Sequence, residues 1–251
     1  MLPFRMTGSL HRSMLPEAII VGVGAEHGLG AAVARRFARE GHRVILAGRT
    51  MDKLATVVAG IEAAGGSAEA VVADAADSVQ VGRLFDRAQN PGAVVFNAGV
   101  NIRAAFREIS VETFEEAWRT NTLGGFVVGR EAARRMVPQG RGTLIFTGAT
   151  ASLRGAAHFA AFAAAKAGLR VLAQSAAREL GPLGLHVAHV VIDGGIDGER
   201  LRARHPERAA AAGEDGLLNI DAIAEAYWQL HCQHRSAWTL ELDLRPYKEP
   251  F

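Results

Sequence analysis

The sequence predicts a single doubly wound α/β domain, in which helices cover both faces of a parallel sheet of about seven strands. From residue 17 onward, short apolar runs alternate with helical patterns, as in proteins built from βαβ units. Runs such as residues 18–21 are apolar throughout, which indicates strands that are buried on both faces. A glycine-rich segment also lies between the first predicted strand and the first predicted helix, where α/β proteins often bind ligands.

Seven runs rich in Val, Ile, Leu and Ala predict the strands of the sheet. Their order along the chain, each separated from the next by a helical pattern or a long connection, favours parallel pairing. The predicted strands are residues 18–21, 44–47, 70–73, 93–96, 143–146, 187–192 and 238–244.

Apolar residues at helical spacing predict the helices. In the first helix Leu29, Val33 and Phe37 are four residues apart, and Gly41 ends the pattern. Ser110 is the expected N-cap of the fourth and longest helix. The segment 195–218 lacks helical periodicity and is expected to be a mobile lid that carries four arginines, with the binding of an anionic substrate by these arginines as the alternative. The predicted helices are residues 29–40, 54–64, 81–88, 111–136, 158–179 and 223–230.

Composition excludes several classes of protein. The 251 residues carry a formal net charge of +2 without a long run of one sign, which argues against a nucleic-acid-binding protein. No stretch reaches the roughly 18 apolar residues of a membrane span. The single cysteine, Cys232, excludes an intrachain disulfide and fits a cytoplasmic protein. His231 and His234 flank Cys232, but chance exposure at a helix end explains them better than a metal, so no metal site is predicted.

Domain organisation is simple, because no repeat and no linker divides the chain. Residues 1–16 are predicted to be a disordered leader, and either Met6 or Met14 is an alternative start. Residues 17–251 are predicted to form one domain.

The glycine-rich segment, residues 24–30, predicts a site for a dinucleotide. Gly24, Gly28 and Gly30 allow the backbone to turn sharply and to approach a pyrophosphate at a helix N-terminus. A tight strand-to-helix turn without a ligand is the alternative.

A second motif lies in the fifth predicted helix, where the segment 162–166 reads Phe-Ala-Ala-Ala-Lys. Together with the spacing of the glycines, it resembles the Tyr-x-x-x-Lys signature of the short-chain dehydrogenases, with phenylalanine in place of tyrosine. The resemblance covers nearly the whole chain. It implies a Rossmann-type fold, a nicotinamide dinucleotide cofactor and an oxidoreductase acting on a carbonyl or an alcohol.

The resemblance also assigns the family's catalytic tetrad of Asn, Ser, Tyr and Lys. Asn121 and Lys166 occupy two of these positions. Phe162 stands at the tyrosine position, and Ala149, 13 residues earlier, stands at the serine position. The two missing side chains are those that contact substrate in the family. A general acid typically contributes about 10²–10⁴ in rate, so their loss predicts atypical or reduced activity.

Other side chains are candidates for the missing proton donor. Thr150 follows the serine position, and His158 lies four residues before Phe162. Tyr227 is a third candidate, although its spacing with neighbouring apolar residues suggests the core. Phe159 excludes the Tyr-x₆-Lys variant of the motif, which would need tyrosine there.

The end of the second predicted strand bears on the choice of cofactor. NAD-dependent members of the family carry an acidic residue at the position of Gly48, and here Arg49 follows a glycine. A guanidinium group favours a 2′-phosphate by charge and by bidentate geometry, and His27 adds a second basic group. NADP(H) is therefore the preferred cofactor and NAD(H) the alternative. An alternative is that Arg49 caps the second helix and has no role in binding.

The family pattern extends to the remaining cofactor contacts. Asp74 matches the residue that binds adenine, although it is also a candidate N-cap for the following helix. After the sixth strand the family's Pro and Thr are replaced by Asp193 and Gly198. The residues expected to bind the cofactor are Gly24, Glu26, His27, Gly28, Leu29, Gly30, Arg49, Asp74, Ala75, Asn97, Ala98, Gly99, Lys166 and Ile196.

Two functions remain open from the sequence. The first is an NADP-dependent oxidoreductase for an unidentified small molecule, with a degenerate tetrad. The alternative is an NADP(H)-binding protein without turnover, such as a redox sensor or a silent subunit. The resemblance further implies a homodimer or homotetramer formed through the fourth and fifth helices.

Overall fold

The computed structural model describes residues 16–249, so the predicted leader lies outside the described residues except for Pro16. The strands are β1 (Glu17–Val21), β2 (Arg43–Gly48), β3 (Ser67–Val72), β4 (Pro91–Phe96), β5 (Gly142–Thr147), β6 (Leu185–Ile192), β7 (Ile196–Asp197), β8 (Leu218–Asn219) and β9 (Glu241–Leu244). The helices are α1 (Leu29–Arg39), α2 (Met51–Ala63), α3 (Ser78–Phe85), α4 (Val111–Trp118), α5 (Gly124–Met136), α6 (Ala160–Leu180), α7 (Glu199–Arg204), α8 (Pro206–Ala212) and α9 (Ile220–His231).

The main sheet has seven strands in the order β3-β2-β1-β4-β5-β6-β9, and every pair is parallel. The predicted doubly wound fold is therefore confirmed. The strand order reverses between β1 and β4. Ligands of open α/β sheets bind at the carboxyl ends of strands beside such a reversal.

Two apolar layers sandwich the sheet. Residues of α1, α2 and α9 pack on one face, and residues of α3, α5 and α6 pack on the other. Both β1 and β6 are buried along their whole length, which explains why their sequences are largely apolar without strict alternation.

The predicted fourth helix is interrupted by a π-helical segment, Arg119–Leu123, between α4 and α5. Its cause is the buried side chain of Asn121. The amide Nδ2 donates to the main-chain oxygens of Ala117 (2.9 Å) and Val100 (3.1 Å). A side chain that bonds the carbonyl four residues earlier competes with the helical ladder and widens the turn. Ser110 caps α4 by accepting from the Thr113 amide, as predicted.

The lid segment (residues 195–218) was predicted to lack regular structure, and this was wrong. It contains α7 and α8, and its ends pair as the two-stranded sheet β7–β8. Neither helix has a buried residue, so no apolar stripe exists from which either could be predicted. Boundaries also differ elsewhere: β3 begins at Ser67 and β9 at Glu241, and α3 ends at Phe85.

A cluster of buried and half-buried rings lies at the edge of the sheet at which β2 and β5 begin. His42 and His231 both pack against Trp228, with ring centroids 5.5 and 5.4 Å away. His231 also pairs with the Thr143 hydroxyl at 3.0 Å. Burial, together with the nearby His42 and His186, lowers the pKa of His231 to about 4. Within residues 16–249 no group of three or more His, Cys, Asp or Glu side chains is arranged to hold a metal ion.

This cluster predicts a loss of stability in acid. The folded pKa of His231 lies below its ordinary value of 6.5, so the unfolded chain takes up the proton first as pH falls. Stability should therefore be lost as pH falls from 6.5 to 4, by up to about 3 kcal/mol for this residue. In urea unfolding at pH 7, 5.5 and 4.5, His231→Gln should lose less stability than the wild type. The exposed His158→Gln variant is the control and should follow the wild type. The prediction would be contradicted if the free energy of unfolding fell equally with pH in all three proteins.

Candidate active site and dinucleotide groove

The glycine loop opens the candidate site between β1 and α1. Gly24 is exposed and has no neighbour within 4 Å of the position of a Cβ atom, so space remains beside the backbone. Gly28 is the N-cap of α1. A Cβ atom on Gly30 would lie 3.0 Å from the oxygen of Gly22, because α1 packs closely on the end of β1. The loop is therefore open at Gly24, whereas the start of α1 is tightly packed at Gly30.

Gly22 is a residue of the site that the sequence analysis missed. Its φ angle is +93°, and a Cβ atom there would lie 2.3 Å from the amide nitrogen of Ala98. Asn97 Nδ2 also donates to the Gly22 oxygen at 3.2 Å. The loops that follow β1 and β4 thus touch through their backbones. A glycine directly after an apolar strand was the available signal, but the contact itself joins distant parts of the chain.

At the end of β2, Gly48 has no room for a side chain. A Cβ atom would lie 2.2 Å from the main-chain oxygen of Val23 and 3.2 Å from the Leu54 side chain. The acidic residue of NAD-dependent relatives is therefore sterically excluded in this backbone. Arg49 is exposed, and the N-cap of α2 is Thr50, so Arg49 does not cap that helix.

Asp74 follows β3 and is exposed at the same edge of the sheet. Its carboxylate accepts from the Ala76 amide at 2.9 Å. The alternative in which Asp74 caps α3 was wrong, because Asp77 is the cap and accepts from the amides of Val79 and Gln80. Asp74 is therefore not the N-cap of α3.

Asn121 and Lys166, which the sequence predicts to be catalytic residues, meet beside Gly99. A Cβ atom on Gly99 would lie 2.8 Å from Asn121 Oδ1 and 3.4 Å from Lys166 Nζ. Lys166 Nζ donates to the main-chain oxygen of Thr147 at 2.8 Å, which leaves two of its protons for other partners. Burial lowers the pKa of Lys166 to about 8. Asn121 Oδ1 is buried and has no hydrogen-bond partner among the described residues.

The substituted tetrad positions supply no proton donor. The ring of Phe162 lies beside the lysine, with its centroid 5.9 Å from Lys166 Nζ. At the serine position, the Ala149 amide donates to the Ser152 hydroxyl at 3.1 Å, and the methyl group has no polar chemistry. Lys166 is therefore the titratable group of the tetrad that remains.

The three surrogate donors have other surroundings. The Thr150 hydroxyl donates to the buried carboxylate of Asp193. Tyr227 is buried in the core, where its hydroxyl pairs with that of Thr147 at 2.8 Å. The side chain of His158 is exposed, its backbone is left-handed with φ of 69°, and its carbonyl accepts from the Ala104 amide. His158 thus shapes a turn at the mouth of the site.

The residues predicted to lie on the nicotinamide side have specific contacts in the structure. Asp193 replaces the family's proline, and its carboxylate pairs with Arg245 at 2.7 Å as well as with Thr150. Gly198 replaces the threonine, and a Cβ atom there would lie 3.0 Å from the main-chain oxygen of His27. Ile196, in β7, pairs with Leu218 across the base of the lid segment.

A further buried group behind Lys166 was also missed. His189 is wholly buried in β6, and its Nδ1 pairs with Glu241 at 3.0 Å. Glu241 in turn accepts two hydrogen bonds from Arg170 at 2.7 Å each. Burial lowers the pKa of His189 to about 4, so its ring is neutral and adds no charge beside Lys166 at neutral pH.

Comparisons with known proteins agree with this geometry. A family model described as short chain dehydrogenase matches residues 18–208. A 3-oxoacyl-[acyl-carrier-protein] reductase from Mycobacterium avium is 35% identical over 199 residues, 78% of this chain and 73% of that protein. A short-chain dehydrogenase from Rhodopseudomonas palustris, known from a crystal structure, is 40% identical to this chain, with a TM-score of 0.79. The match covers 92% of this chain and 99% of that protein's chain. A metagenomic short-chain oxidoreductase in complex with NADP is 25% identical, with a TM-score of 0.77, and covers 92% and 96% of the two chains.

The parallel sheet, with its glycine loop at the strand-order reversal, defines an α/β protein of the dinucleotide-binding type. The chain belongs to the short-chain dehydrogenase family. The resemblance inferred from the glycine and lysine motifs is thereby confirmed. None of the helices between residues 16 and 249 has the length and apolar character that a membrane crossing requires.

The crowding at Gly48 predicts a large difference between two glycine substitutions. Gly48→Ala places a methyl group against the Val23 carbonyl and should destabilise the fold by about 2–4 kcal/mol. Gly24→Ala is the matched control, because the methyl group there meets open space. Urea unfolding of the two variants checks this. Equal stabilities would show that the end of β2 can relax to accept a side chain.

Proposed function

We propose that this chain is an NADP(H)-dependent oxidoreductase that interconverts a carbonyl and an alcohol on an unidentified small molecule. Family membership supports the reaction class, and the NADP complex of the metagenomic relative supports the cofactor. The closed position of Gly48 and the free guanidinium of Arg49 favour a 2′-phosphate over the hydroxyl of NAD(H). NAD(H) is the weaker alternative.

The described residues fit a dinucleotide. The open glycine loop offers backbone amides for the pyrophosphate, and the exposed Arg49 and Asp74 lie at the carboxyl ends of β2 and β3. The orphaned Asn121 Oδ1 offers a buried acceptor beside Lys166. We propose that the cofactor is held by Gly24, Glu26, His27, Gly28, Leu29, Gly30, Arg49, Asp74, Ala75, Asn97, Ala98, Gly99, Lys166 and Ile196.

When bound, the nicotinamide supplies or accepts the hydride, and the remaining task for the protein is to move one proton. The observation that carries the proposal is the buried ammonium of Lys166, whose pKa is lowered to about 8. An acid with a pKa near the working pH is well suited to proton transfer. Lys166 Nζ, fixed by the Thr147 carbonyl, donates a proton toward the substrate oxygen in place of the absent phenol. Asn121 Oδ1 holds a water on that path.

A second function, cofactor binding without turnover, is favoured by one specific observation. Both side chains that contact substrate in the family are apolar here, and the hydroxyl proton of Thr150 is donated to Asp193. A redox sensor or a silent subunit needs the adenosine half of the groove and not the missing hydroxyl groups.

The proposed role of Lys166 predicts a pH profile. The folded pKa of about 8 lies below the ordinary 10.5, so the proton is lost as pH rises through 8, and carbonyl reduction should fall there. Lys166→Met should lower kcat by about 10²–10⁴. Lys166→Arg keeps the charge but cannot titrate near pH 8, so its residual activity should lose that fall. NADPH oxidation with a panel of ketones and aldehydes, followed from pH 6 to 10, measures both effects.

Restoring the missing hydroxyl groups separates the two functions. If wild type turns over no carbonyl but the Ala149→Ser/Phe162→Tyr double variant does, the oxidoreductase proposal fails and the non-catalytic function stands. Turnover by wild type supports the first function, and its loss in Lys166→Met at NADPH concentrations that saturate the variant supports the proposed role of Lys166.

We further propose that the protein forms a homodimer or homotetramer through the α4–α5 segment and α6, the predicted fourth and fifth helices. Large apolar side chains are exposed along these helices. Trp118 and Phe126 are 45% and 44% exposed, and Val171 on α6 is 63% exposed. Large apolar side chains exposed along neighbouring helices are candidates for burial in an interface. With one cysteine and no predicted membrane-spanning run, a cytoplasmic location is proposed as well.

If the protein forms this oligomer, introducing one charged side chain on the apolar surface should favour the monomer. Trp118→Glu should shift the protein toward monomer in sedimentation equilibrium, because the carboxylate would be buried without a partner. Phe106→Glu, at a side chain that is 83% exposed and outside these helices, is the control and should leave assembly unchanged. A Trp118→Glu protein that sediments like wild type would argue against this interface.

A further inference from the structure

The lid segment is docked onto the glycine loop. The main-chain nitrogen of Glu199, at the start of α7, donates to the oxygen of His27 at 2.9 Å. Gly198 allows this approach, because a Cβ atom there would already lie 3.0 Å from the same oxygen. The first turn of α7 is therefore fixed directly above the loop proposed to bind the cofactor.

From this position Arg200 reaches across the groove. Its Nη1 lies 3.5 Å from the main-chain oxygen of Gly99, the residue beside which Asn121 and Lys166 meet. The guanidinium group therefore lies between the lid segment and the loop after β4. Its side chain stays in part open to solvent, so a ligand in the groove has access to it.

The charges around Arg200 are unbalanced. Burial lowers the pKa of Arg200, and the nearby positive charges of Arg204 and Arg49 lower it further. Among residues 16–249, no ion pair is formed by any of these three arginines, which we call the lid–groove cluster. Arg202, on the same short helix, differs because it pairs with Asp197 through two hydrogen bonds of 2.6 and 3.0 Å.

An unpaired cationic cluster at the edge of a groove is stabilised by an anion that enters the groove. Guanidinium groups match phosphate oxygens in charge and in bidentate geometry. The cluster extends from the end of β2, through Arg49, to Gly99, so it borders the path that the glycine loop defines for a dinucleotide. An apolar or neutral ligand would leave the repulsion among the three charges uncompensated.

We propose that Arg200 is a cofactor-binding residue of the lid segment, which contacts a phosphate group of NADP(H) and holds the lid segment over the bound cofactor. The inference rests on the proposed function, because it requires a phosphate-bearing dinucleotide in the groove. It goes beyond that function by making affinity for the cofactor depend on a residue outside the glycine loop and outside the end of β2.

Equilibrium binding of NADPH and of NADH tests this role without any substrate. Arg200→Gln should weaken NADPH binding by about tenfold or more, since hydrogen bonds to charged groups are worth about 1.5–3 kcal/mol. Arg200→Lys should retain part of the affinity. Arg202→Gln is the matched control, because it removes a charge from the same helix but not from the lid–groove cluster. Calorimetry at 50 and 200 mM salt gives the dissociation constants.

The two nucleotides distinguish which phosphate is contacted. If Arg200→Gln weakens the binding of NADPH and NADH equally, Arg200 contacts the diphosphate. If it weakens the binding of NADPH alone, Arg200 contacts the 2′-phosphate. Either result supports the inference. It is overturned if Arg200→Gln binds both nucleotides like wild type, or if Arg202→Gln weakens them equally, which would indicate a general effect of charge.

A thermal scan without nucleotide excludes a structural explanation. Removing one of three repelling cations should leave the melting temperature of Arg200→Gln equal to or above that of wild type. A clear drop would mean that Arg200 supports the fold, and the inference would fail. If wild type itself binds neither nucleotide, the proposed function fails first. If wild type binds and Arg200→Gln is unchanged, only the role of Arg200 fails.

Discussion

The close approach of two backbones at the point where the strand order reverses is the constraint on which the rest of the site depends. Gly22, after β1, contacts the chain after β4 at a distance that no side chain could tolerate. Gly30 brings α1 against the same strand end. These contacts hold the glycine loop, Asn97 and Gly99 around one crevice. A larger residue at Gly22 would separate the two loops and with them the two halves of the groove.

The residues predicted to lie on the nicotinamide side form a well-packed and well-paired structure. A buried carboxylate such as that of Asp193 is costly unless it is paired, and both Arg245 and Thr150 pair with it. Gly198 permits the lid segment to bond the glycine loop, which a β-branched residue would obstruct. The absent phenol and hydroxyl therefore belong to a site with its own packing. This is the physical reason to look for a proton donor within it.

Several cationic side chains line one part of the groove. Lys166 is desolvated beneath it, and Arg49, Arg200 and Arg204 surround it without carboxylate partners among the described residues. Some arginines elsewhere are paired with carboxylates, as Arg170 is with Glu241. His189, whose pKa is lowered by burial and also by Lys166, is neutral at neutral pH. A dinucleotide in the groove would thus bring its phosphates close to guanidinium groups that have no carboxylate partner among the described residues.

The sequence by itself determined the parallel sheet, the positions of the main helices and the glycine loop, because apolar runs and periodic stripes are local patterns. It also determined that Phe162 and Ala149 lack the hydroxyl groups of the family motif. Tertiary structure alone decided the rest. The helices α7 and α8 bury no residue and so leave no stripe in the sequence. Other features depend on contacts between segments that are far apart in the chain. They are the requirement for glycine at positions 22 and 48, the hydrogen bond of Thr150 to Asp193, and the contact of Arg200 with Gly99. No local pattern records such contacts, since packing distance and desolvation exist only once the chain has folded.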